Sequence, residues 1–263
     1  MAQLFLKQAK QYALTRPVYP PELFQFIASK TVTHGLAWDV GTGSGQAARS
    51  LAEIYRQVVA TDTSPTQLEQ APRLPNVRYE VTSPVMSWAE LEQKVAPESS
   101  LDLVTIAQAL HWLDRPTFYQ QVKWALKKPN GVVAAWCYTL PEIDGTVDPV
   151  FRAYYADSGP FWDPARRLVE DEYRSIEFSF EPVEGVEGTG PVRFVTHQAM
   201  SLDEFFTYMR SSSAYQTAKE RGVELLDGEM AGRFERAWNE RGEGPKTVKF
   251  PVYLRIGRVG IGN

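Results

Sequence analysis

One stretch, residues 36–48, constrains the fold of this chain more than any other. An apolar run ends in an acid, Asp39-Val40, and passes directly into a loop with glycine at three alternate positions, Gly41, Gly43 and Gly45. An apolar helical pattern follows at once. Glycine allows positive φ and a close approach of a ligand to the backbone, and a helix start offers unpaired N–H groups. The stretch therefore predicts a strand, a tight turn and a helix, with a flat, polar or anionic ligand at the turn.

Two fingerprints fit this turn. The dinucleotide-binding pattern G-x-G-x-x-G/A can be placed on Gly43, Gly45 and Ala48, with Asp62 as the later acid. The register D-x-G-x-G-x-G, which begins at Asp39, resembles motif I of class I S-adenosylmethionine (SAM)-dependent methyltransferases. Further matches along the chain favour the second register.

The resemblance implies a cofactor and its contacts. In that family, the acid and the glycine turn hold the methionine end of SAM, and an acid that ends the second strand holds the ribose. It implies SAM as cofactor and S-adenosylhomocysteine as product. The contacts implied here are Asp39, Gly41, Thr42, Gly43, Gly45, Asp62 and Thr63. The family commonly holds adenine with an acid after the third strand, where this chain has Thr82 and Ser83, so we expect one of these two to serve.

Strongly apolar strands alternate with helices along the first half of the chain, which is typical of a parallel sheet covered on both faces. The pattern predicts strands at Leu36–Val40, Val58–Thr61, Val77–Val81, Leu101–Ala107 and Val132–Tyr138. It predicts helices over 3–13 and Glu22–Ser29, and others that begin at Ser64, Ser87 and Asp114. A further helix is expected directly after the glycine turn, with Ala47, Ala48, Leu51 and Ile54 on its apolar face. Ser87–Glu90 has the sequence of a capping box.

From residue 140 the pattern changes to aromatic residues among Pro, Gly and acids, which indicates an inserted cap. Alternation predicts strands at Ile176–Phe180 and Lys246–Val259. A second capping box is expected at Ser201–Glu204, and amphipathic helices near 213–220 and 229–239.

By resemblance, the fold is α/β and Rossmann-like, the class I methyltransferase fold. It implies a seven-stranded, mostly parallel sheet with the last strand antiparallel, a helical N-terminal lid and a cap inserted after the fifth strand. The expected parts of this one structural domain are a lid at 1–35, a SAM-binding core at 36–139, an acceptor-binding cap with the sixth strand at 140–245, and the final strand at 246–263.

The segment after the fourth strand reads A-Q-A-L-H-W, and in the family it lines the sulfonium and the acceptor. The resemblance implies Ala107 and Gln108 as cofactor contacts and Trp112 as a wall of the acceptor pocket, with a place in the core as the alternative for Trp112. His111 is the candidate catalytic base and acceptor contact, since histidine has an ordinary pKa of about 6.5. Its alternative role is a hydrogen-bonded histidine that holds the loop.

The N-terminal residues Tyr12, Arg16 and Tyr19 resemble the lid of small-molecule methyltransferases of the ubiquinone-biosynthesis and trans-aconitate type, which covers SAM and part of the acceptor pocket. Tyr12 and Arg16 are expected at the cofactor and Tyr19 at the acceptor, with an aromatic staple on the sheet as the alternative. Arg16 could instead position the acceptor or pair with a surface acid. Trp162 and Tyr208 are the cap's acceptor contacts, and the resemblance is to plant and fungal members of the trans-aconitate methyltransferase-like group.

Composition limits the partners. The net charge is −4 with scattered basic residues, which argues against nucleic acid. An apolar stretch of about 18 residues, as a membrane span requires, is not found in the sequence. Cys137 lies in an apolar run and is expected to be a buried structural thiol, and the three histidines are far apart, so no metal is expected. We expect a cytoplasmic monomer or homodimer that acts on a small molecule.

Three functions remain open at this stage. The first is SAM-dependent methyl transfer to a small molecule, with a carboxylate oxygen as the first acceptor class and a phenol or amine as the second, by in-line SN2 displacement. The second is an NAD(P)-dependent oxidoreductase on the overlapping glycine register, although a Tyr-x-x-x-Lys catalytic pair is not recognisable. The third is a SAM-binding protein without turnover.

Overall fold

The computed structural model describes residues 17–260. The helix expected over 3–13, together with Tyr12 and Arg16, lies outside the described residues. The strands are β1 Leu36–Val40, β2 Gln57–Asp62, β3 Val77–Val81, β4 Leu103–Ala107, β5 Val132–Tyr138, β6 Val192–Met200 and β7 Lys246–Arg258. The α-helices are α1 Pro21–Ala28, α2 Gln46–Ala52, α3 Pro65–Glu69, α4 Trp88–Lys94, α5 Arg115–Ala125, α6 Val147–Asp157, α7 Arg166–Glu170, α8 Leu202–Arg210, α9 Ser213–Glu220 and α10 Gly228–Asn239. Short 3₁₀ turns occupy Leu110–Trp112 and Gly159–Phe161.

The strands form one seven-stranded sheet in the order β3-β2-β1-β4-β5-β7-β6. Strands β1 to β5 pair in parallel, and β7 runs antiparallel to β5, with Val132 opposite Arg258. The α/β, Rossmann-like fold class with its antiparallel last strand is confirmed. The strand order reverses between β1 and β4, and ligands of such sheets bind beyond the carboxyl ends of the strands at that point.

The sheet supplies the core. All seven residues of β5 are buried, and Trp38 of β1 is fully buried with its ring 6.0 Å from that of Phe118 on α5. Cys137 is a buried free thiol, as its apolar run predicts. Strands buried on both faces read as continuous apolar runs, which is why the sequence locates them well.

The boundaries of β3 and β5 match the prediction, whereas β4 begins two residues later, because Leu101 forms only an isolated bridge to Leu126. The capping box at Ser201–Glu204 is confirmed in full. At Ser87 the box is only half formed. Ser87 caps the Glu90 N–H, but the Glu90 carboxylate accepts the Ser83 N–H and Lys94 Nζ, at 3.0 Å each.

The strand predicted at Ile176–Phe180 is wrong, and the sixth strand is Val192–Met200. The alternating aromatic side chains have another cause. Phe178 and Phe180 lie edge-on to Tyr119 of α5, at 5.8 and 5.2 Å, and the Ile176 carbonyl accepts a 3.2 Å hydrogen bond from Arg255 Nη1. The segment therefore buries its rings against a helix and gives a carbonyl to a side chain.

The chain divides into two compact units, and the division falls within β6 and β7. One unit holds Val18–Thr139, Arg167–Phe194 and the chain from Val252, and it contains the parallel strands. The other includes Leu140–Arg166 and Val195–Pro251. Its interior is an aromatic cluster around Phe205, whose ring lies 5.6 Å from Phe151 and 5.6 Å from Trp238.

The longest α-helix among residues 17–260 is Gly228–Asn239, with 12 residues. A bilayer core about 30 Å thick requires about 20 apolar residues in a helix. The described part of the chain thus offers no helix that could span a membrane.

Candidate active site

The glycine turn follows β1 at the point where the strand order reverses. Gly41, Gly43 and Gly45 adopt φ of 63°, 57° and 82°, which L-residues with a side chain rarely adopt. The turn is closed by two backbone bonds of 2.9 Å, Thr42 N–H to the Thr61 carbonyl and Gly45 N–H to the Thr42 carbonyl. Gly45 then caps α2.

Asp39 is fully buried beneath this turn. Thr42 Oγ1 donates to its Oδ2 at 2.6 Å, and Thr105 Oγ1 of β4 donates to its Oδ1 at 2.7 Å. Burial raises the pKa of Asp39 to about 6, even though the two threonine hydroxyls lower it; the charge of Asp62 adds to the rise. Asp39 therefore links the glycine turn to β1 and β4. Its carboxyl group changes from neutral to charged as pH rises through about 6.

Asp62 ends β2 and holds the turn from the other side. Its Oδ2 accepts the Gly43 N–H at 2.8 Å, and its Oδ1 accepts the Ser64 N–H at 2.9 Å. A carboxylate has about four lone-pair sites, and the described residues use two of them, which leaves two for ligand hydroxyls. Thr63, next to it, is exposed.

The turn has room for a ligand on one side only. A Cβ added at Gly41 would lie 2.7 Å from Ala109 Cβ, and one added at Gly45 would lie 2.9 Å from the Tyr79 hydroxyl. A Cβ added at Gly43 would meet no heavy atom of residues 17–260 within 4 Å. Gly41 and Gly45 are thus required for packing. The Gly43 position leaves a cradle between the carboxylates of Asp39 and Asp62, which would fit a cofactor with a cationic amino-acid end and a ribose.

The two candidate adenine contacts differ. Thr82 is buried, and its N–H donates to the Asp62 carbonyl at 3.0 Å, which keeps it beside the ribose-side acid. Ser83 is exposed, and its N–H donates to Glu90. The side chain of Ser83 is also hydrogen-bonded to Glu90.

Gln108 follows β4 in a left-handed conformation with φ of 57°. Its side-chain amide spans to the end of β5, where Nε2 donates to the Tyr138 carbonyl at 3.1 Å and Oε1 accepts the Tyr138 N–H at 3.2 Å. Gln108 therefore fixes the loop after β4, while Ala107 ends the strand half-buried.

His111 and Trp112 lie in the 3₁₀ turn that follows. The Nδ1 atom of His111 is 2.7 Å from the Tyr173 hydroxyl, and its ring is 4.6 Å from that of Trp112. Trp112 is 56% exposed, so it is not part of the core. A half-exposed indole beside a partly buried imidazole offers an apolar wall and a polar group to an acceptor.

Tyr19 packs on the sheet. Its buried ring lies edge-on to Trp136 of β5 at 5.3 Å and to Phe24 of α1 at 6.4 Å. This packing corresponds to the aromatic staple on the sheet, which the sequence analysis gives as the alternative role of Tyr19. The acceptor role of Tyr19 stays a prediction.

Trp162 and Tyr208 belong to the second unit. Trp162 donates from Nε1 to Ser158 Oγ at 2.9 Å, and the Arg166 guanidinium lies 4.7 Å above its ring. Tyr208 lies edge-on to Phe250 at 5.3 Å. Both rings are half-buried within that unit.

Two residues of the site escaped the sequence analysis. Thr105 has a signal, a hydroxyl in the nearly all-apolar strand Leu103–Ala107, and this hydroxyl holds Asp39. Tyr173 contacts His111 from 62 positions further along the chain, and nothing in its local sequence marks it.

Comparison with known proteins gives a consistent result. The methyltransferase domain family matches residues 38–135. A Dictyostelium discoideum protein whose name assigns it to the methyltransferases is 31% identical, over 95% of this chain and 92% of its own length. A Saccharomyces cerevisiae protein described as an S-adenosylmethionine-dependent methyltransferase is 24% identical, over 79% of each chain. A solved structure from Anaeromyxobacter dehalogenans, described as a type II methyltransferase, is 32% identical and has a TM-score of 0.79, over 93% of this chain and 98% of that one.

The first of these proteins and the solved structure match this chain over nearly its whole length. The cradle at Gly43 and the lone pairs left on Asp62 fit SAM, and the overlapping dinucleotide register has no support among these relatives. This chain therefore belongs to the class I SAM-dependent methyltransferases.

Proposed function

We propose that this enzyme transfers a methyl group to a carboxylate oxygen of a small molecule by in-line displacement. When bound, SAM supplies a methyl group on a sulfonium, from which a neutral thioether leaves. The chain has to hold the acceptor oxygen in line and keep water out. Such alignment is worth roughly 7–11 kcal/mol of the barrier, so strong acid–base chemistry is not required.

The observation that carries this proposal is that both acids at the turn are already engaged. Asp39 accepts from Thr42 and Thr105, and Asp62 accepts from Gly43 and Ser64. A phenol or an ammonium acceptor must first lose a proton to a base, whereas a carboxylate is already ionised at neutral pH. The arrangement therefore favours an acceptor that needs a hydrogen-bond donor more than a base.

Residue roles follow from the family resemblance together with this geometry. The charged Asp39 and the turn from Gly41 to Gly45 bind the amino-acid end of the cofactor, and Asp62 with Thr63 binds the ribose. Thr82 is the better placed adenine contact, because Ser83 is tied to Glu90. The proposed acceptor contacts are Tyr19, His111, Trp112, Trp162 and Tyr208.

The acceptor group is proposed from the trans-aconitate-type resemblance of the N-terminal and cap residues. The same resemblance supports a lid at 1–35, a core at 36–139, a cap at 140–245 and a final strand at 246–263. An aromatic cap fits a small, partly apolar acid.

The class of the acceptor can be read from the stability of the product. The purified protein is incubated with methyl-labelled SAM and a panel of small carboxylic acids, phenols and amines. We expect label in a product that mild alkali hydrolyses to methanol, because methyl esters are cleaved under conditions in which methyl ethers and methylamines persist. Label that resists alkali would refute the carboxylate proposal and leave methyl transfer intact.

A further inference from the structure

The contact between Tyr173 and His111 is not used by the proposed function. The Tyr173 hydroxyl lies 2.7 Å from His111 Nδ1, and the two rings are 6.0 Å apart. Tyr173 is fully buried, whereas His111 is partly exposed. The buried phenol thus meets Nδ1 of the imidazole, one of its two ring nitrogens.

The backbone at Tyr173 is held in a conformation that a tyrosine rarely adopts. Glu172 and Tyr173 have φ of 58° and 61°, in the left-handed region. A residue with a side chain is strained in this region and persists there only when its surroundings fix it. Strain of this kind at a residue that contacts the active site points to a positional requirement.

Arg255 of β7 supplies the fixation. It is 7% exposed, and its Nη1 donates to the Tyr173 carbonyl at 2.6 Å and to the Ile176 carbonyl at 3.2 Å. Its Nη2 donates to Thr189 Oγ1 at 2.7 Å, and its guanidinium lies 5.3 Å from the Phe178 ring centroid. A buried arginine is thus used to clamp the turn that carries Tyr173.

The chemistry of the pair decides where the imidazole proton lies. A phenol O–H is a stronger donor than a neutral imidazole N–H, and an unprotonated ring nitrogen is a stronger acceptor than a phenol oxygen. The nitrogen that accepts a hydrogen bond leaves the proton on the other one. The favoured arrangement therefore has the Tyr173 O–H donating to Nδ1, with the proton of the neutral ring on Nε2.

We propose that Tyr173 is a positioning residue that holds His111 with its proton on Nε2, so that His111 presents an N–H donor to the carboxylate of the acceptor. The inference rests on the proposed function and deepens it, since it replaces a general base by a hydrogen-bond donor. No proton changes place during methyl transfer, and the donor orients the attacking oxygen. Arg255 supports this role by fixing Tyr173.

The position of the proton can be measured without turnover. Two-bond ¹H–¹⁵N correlation spectra of protein labelled with ¹⁵N-histidine distinguish protonated from unprotonated ring nitrogens. The chain has three histidines, and His111→Gln identifies the signal of His111. At a pH where the ring is neutral, we expect a single tautomer with the proton on Nε2 and a hydrogen-bonded Nδ1. A proton on Nδ1 would overturn the proposal.

Tyr173→Phe keeps the ring and removes the hydroxyl, so it should shift the His111 Nδ1 signal and release the ring to a mixture of tautomers. Tyr55→Phe is the matched control, because it removes a buried hydroxyl that bonds Thr31 Oγ1 at 2.9 Å. It should leave the His111 signals unchanged. An unchanged His111 spectrum in Tyr173→Phe would refute the positioning role.

Two variants of His111 separate a donor from a base. Glutamine carries an N–H donor near the place of Nε2 but cannot act as a base. With a carboxylate acceptor, we expect His111→Gln to keep at least about tenfold more kcat/KM than His111→Ala, and Tyr173→Phe to raise KM more than it lowers kcat. Equal losses in both His111 variants would indicate a base. If the spectra agree and no carboxylate is methylated, the proposed function fails and the Tyr173–His111 assignment stands.

Discussion

Replacing Gly41 with alanine is expected to lower the free energy of unfolding by about 2–5 kcal/mol, the sum of left-handed backbone strain and overpacking. Gly41 has φ of 63°, and its added Cβ would lie 2.7 Å from Ala109 Cβ. Chemical denaturation monitored by tryptophan fluorescence measures the change.

Gly43→Ala is the matched partner of that variant. Its φ of 57° imposes similar strain, while its Cβ would meet no heavy atom within 4 Å in the part of the chain that the structure describes. We expect a stability loss of only about 1–2 kcal/mol. Its affinity for S-adenosylhomocysteine should fall about 100-fold, or about 2.7 kcal/mol, because the methyl group fills the cofactor's cradle. Equal stability losses in the two variants, or unchanged affinity in Gly43→Ala, would contradict the account of the turn.

The stability of the protein should carry a pH dependence from Asp39. Burial raises the pKa of this carboxyl from 3.8 to about 6 in the folded protein, so between these values the folded state binds more protons than the unfolded state. The contribution is present below about pH 4 and is lost as pH rises through 6. Relative to Asp39→Asn, the wild type should therefore lose about 2 kcal/mol between pH 4 and pH 7.

Asp102 serves as the control, because its pKa is shifted in the opposite direction and its effect on stability should change with pH in the opposite sense. It is also buried, and burial alone would raise its pKa, but hydrogen bonds from Lys127, Thr33 and the Leu36 N–H hold the pKa below its ordinary value. The stability difference between wild type and Asp102→Asn should grow as pH rises toward about 5 and then stay level, because the contribution of a carboxyl with a lowered pKa is lost only at acidic pH. Urea titrations of the three proteins from about pH 3 to pH 7 test both signs, and a difference for Asp39→Asn that is flat or grows with pH would refute the prediction.

Much of the parallel half of the sheet could be predicted from the sequence, because its inner strands are buried on both faces and their apolar runs are continuous. The bounds of Val132–Tyr138 are an example. The edge strand Val77–Val81 has no buried residue, although its bounds also match the prediction. The meeting of Asp39 and Asp62 at the glycine turn followed from topology, since both end strands at the same edge.

The second half of the chain was harder to predict, because its alternation of aromatic and polar residues can arise from more than one kind of packing. Alternation at Ile176–Phe180 indicated a strand, but the rings pack on Tyr119 and the chain's carbonyls bind Arg255. The true strand Val192–Met200 contains Arg193, Thr196, His197 and Gln198, and only Thr196 and Met200 are buried. Its alternation is too polar to stand out.

At the site, local sequence located the residues that belong to motifs and missed those that act from a distance. Gln108 and His111 were named from the motif after β4, but the partners of their side chains, Tyr138 and Tyr173, are 30 and 62 positions away. A hydrogen bond between remote segments leaves no periodic signal. Tyr173 could be assigned only once the chain was folded.

The most direct test of the central claim, that the glycine turn and Asp62 bind the cofactor, is calorimetric titration with S-adenosylhomocysteine. Wild type and Asp62→Ala are compared with a control variant, Asp163→Ala. The Asp163 carboxylate accepts a hydrogen bond of 2.8 Å from the N–H of Ala165, two residues ahead, just as Asp62 accepts one from Ser64. We predict tight binding by wild type and Asp163→Ala and at least about a 100-fold loss, near 2.7 kcal/mol, in Asp62→Ala. Undiminished binding by Asp62→Ala, or binding of NADH or NADPH in place of S-adenosylhomocysteine, would contradict it.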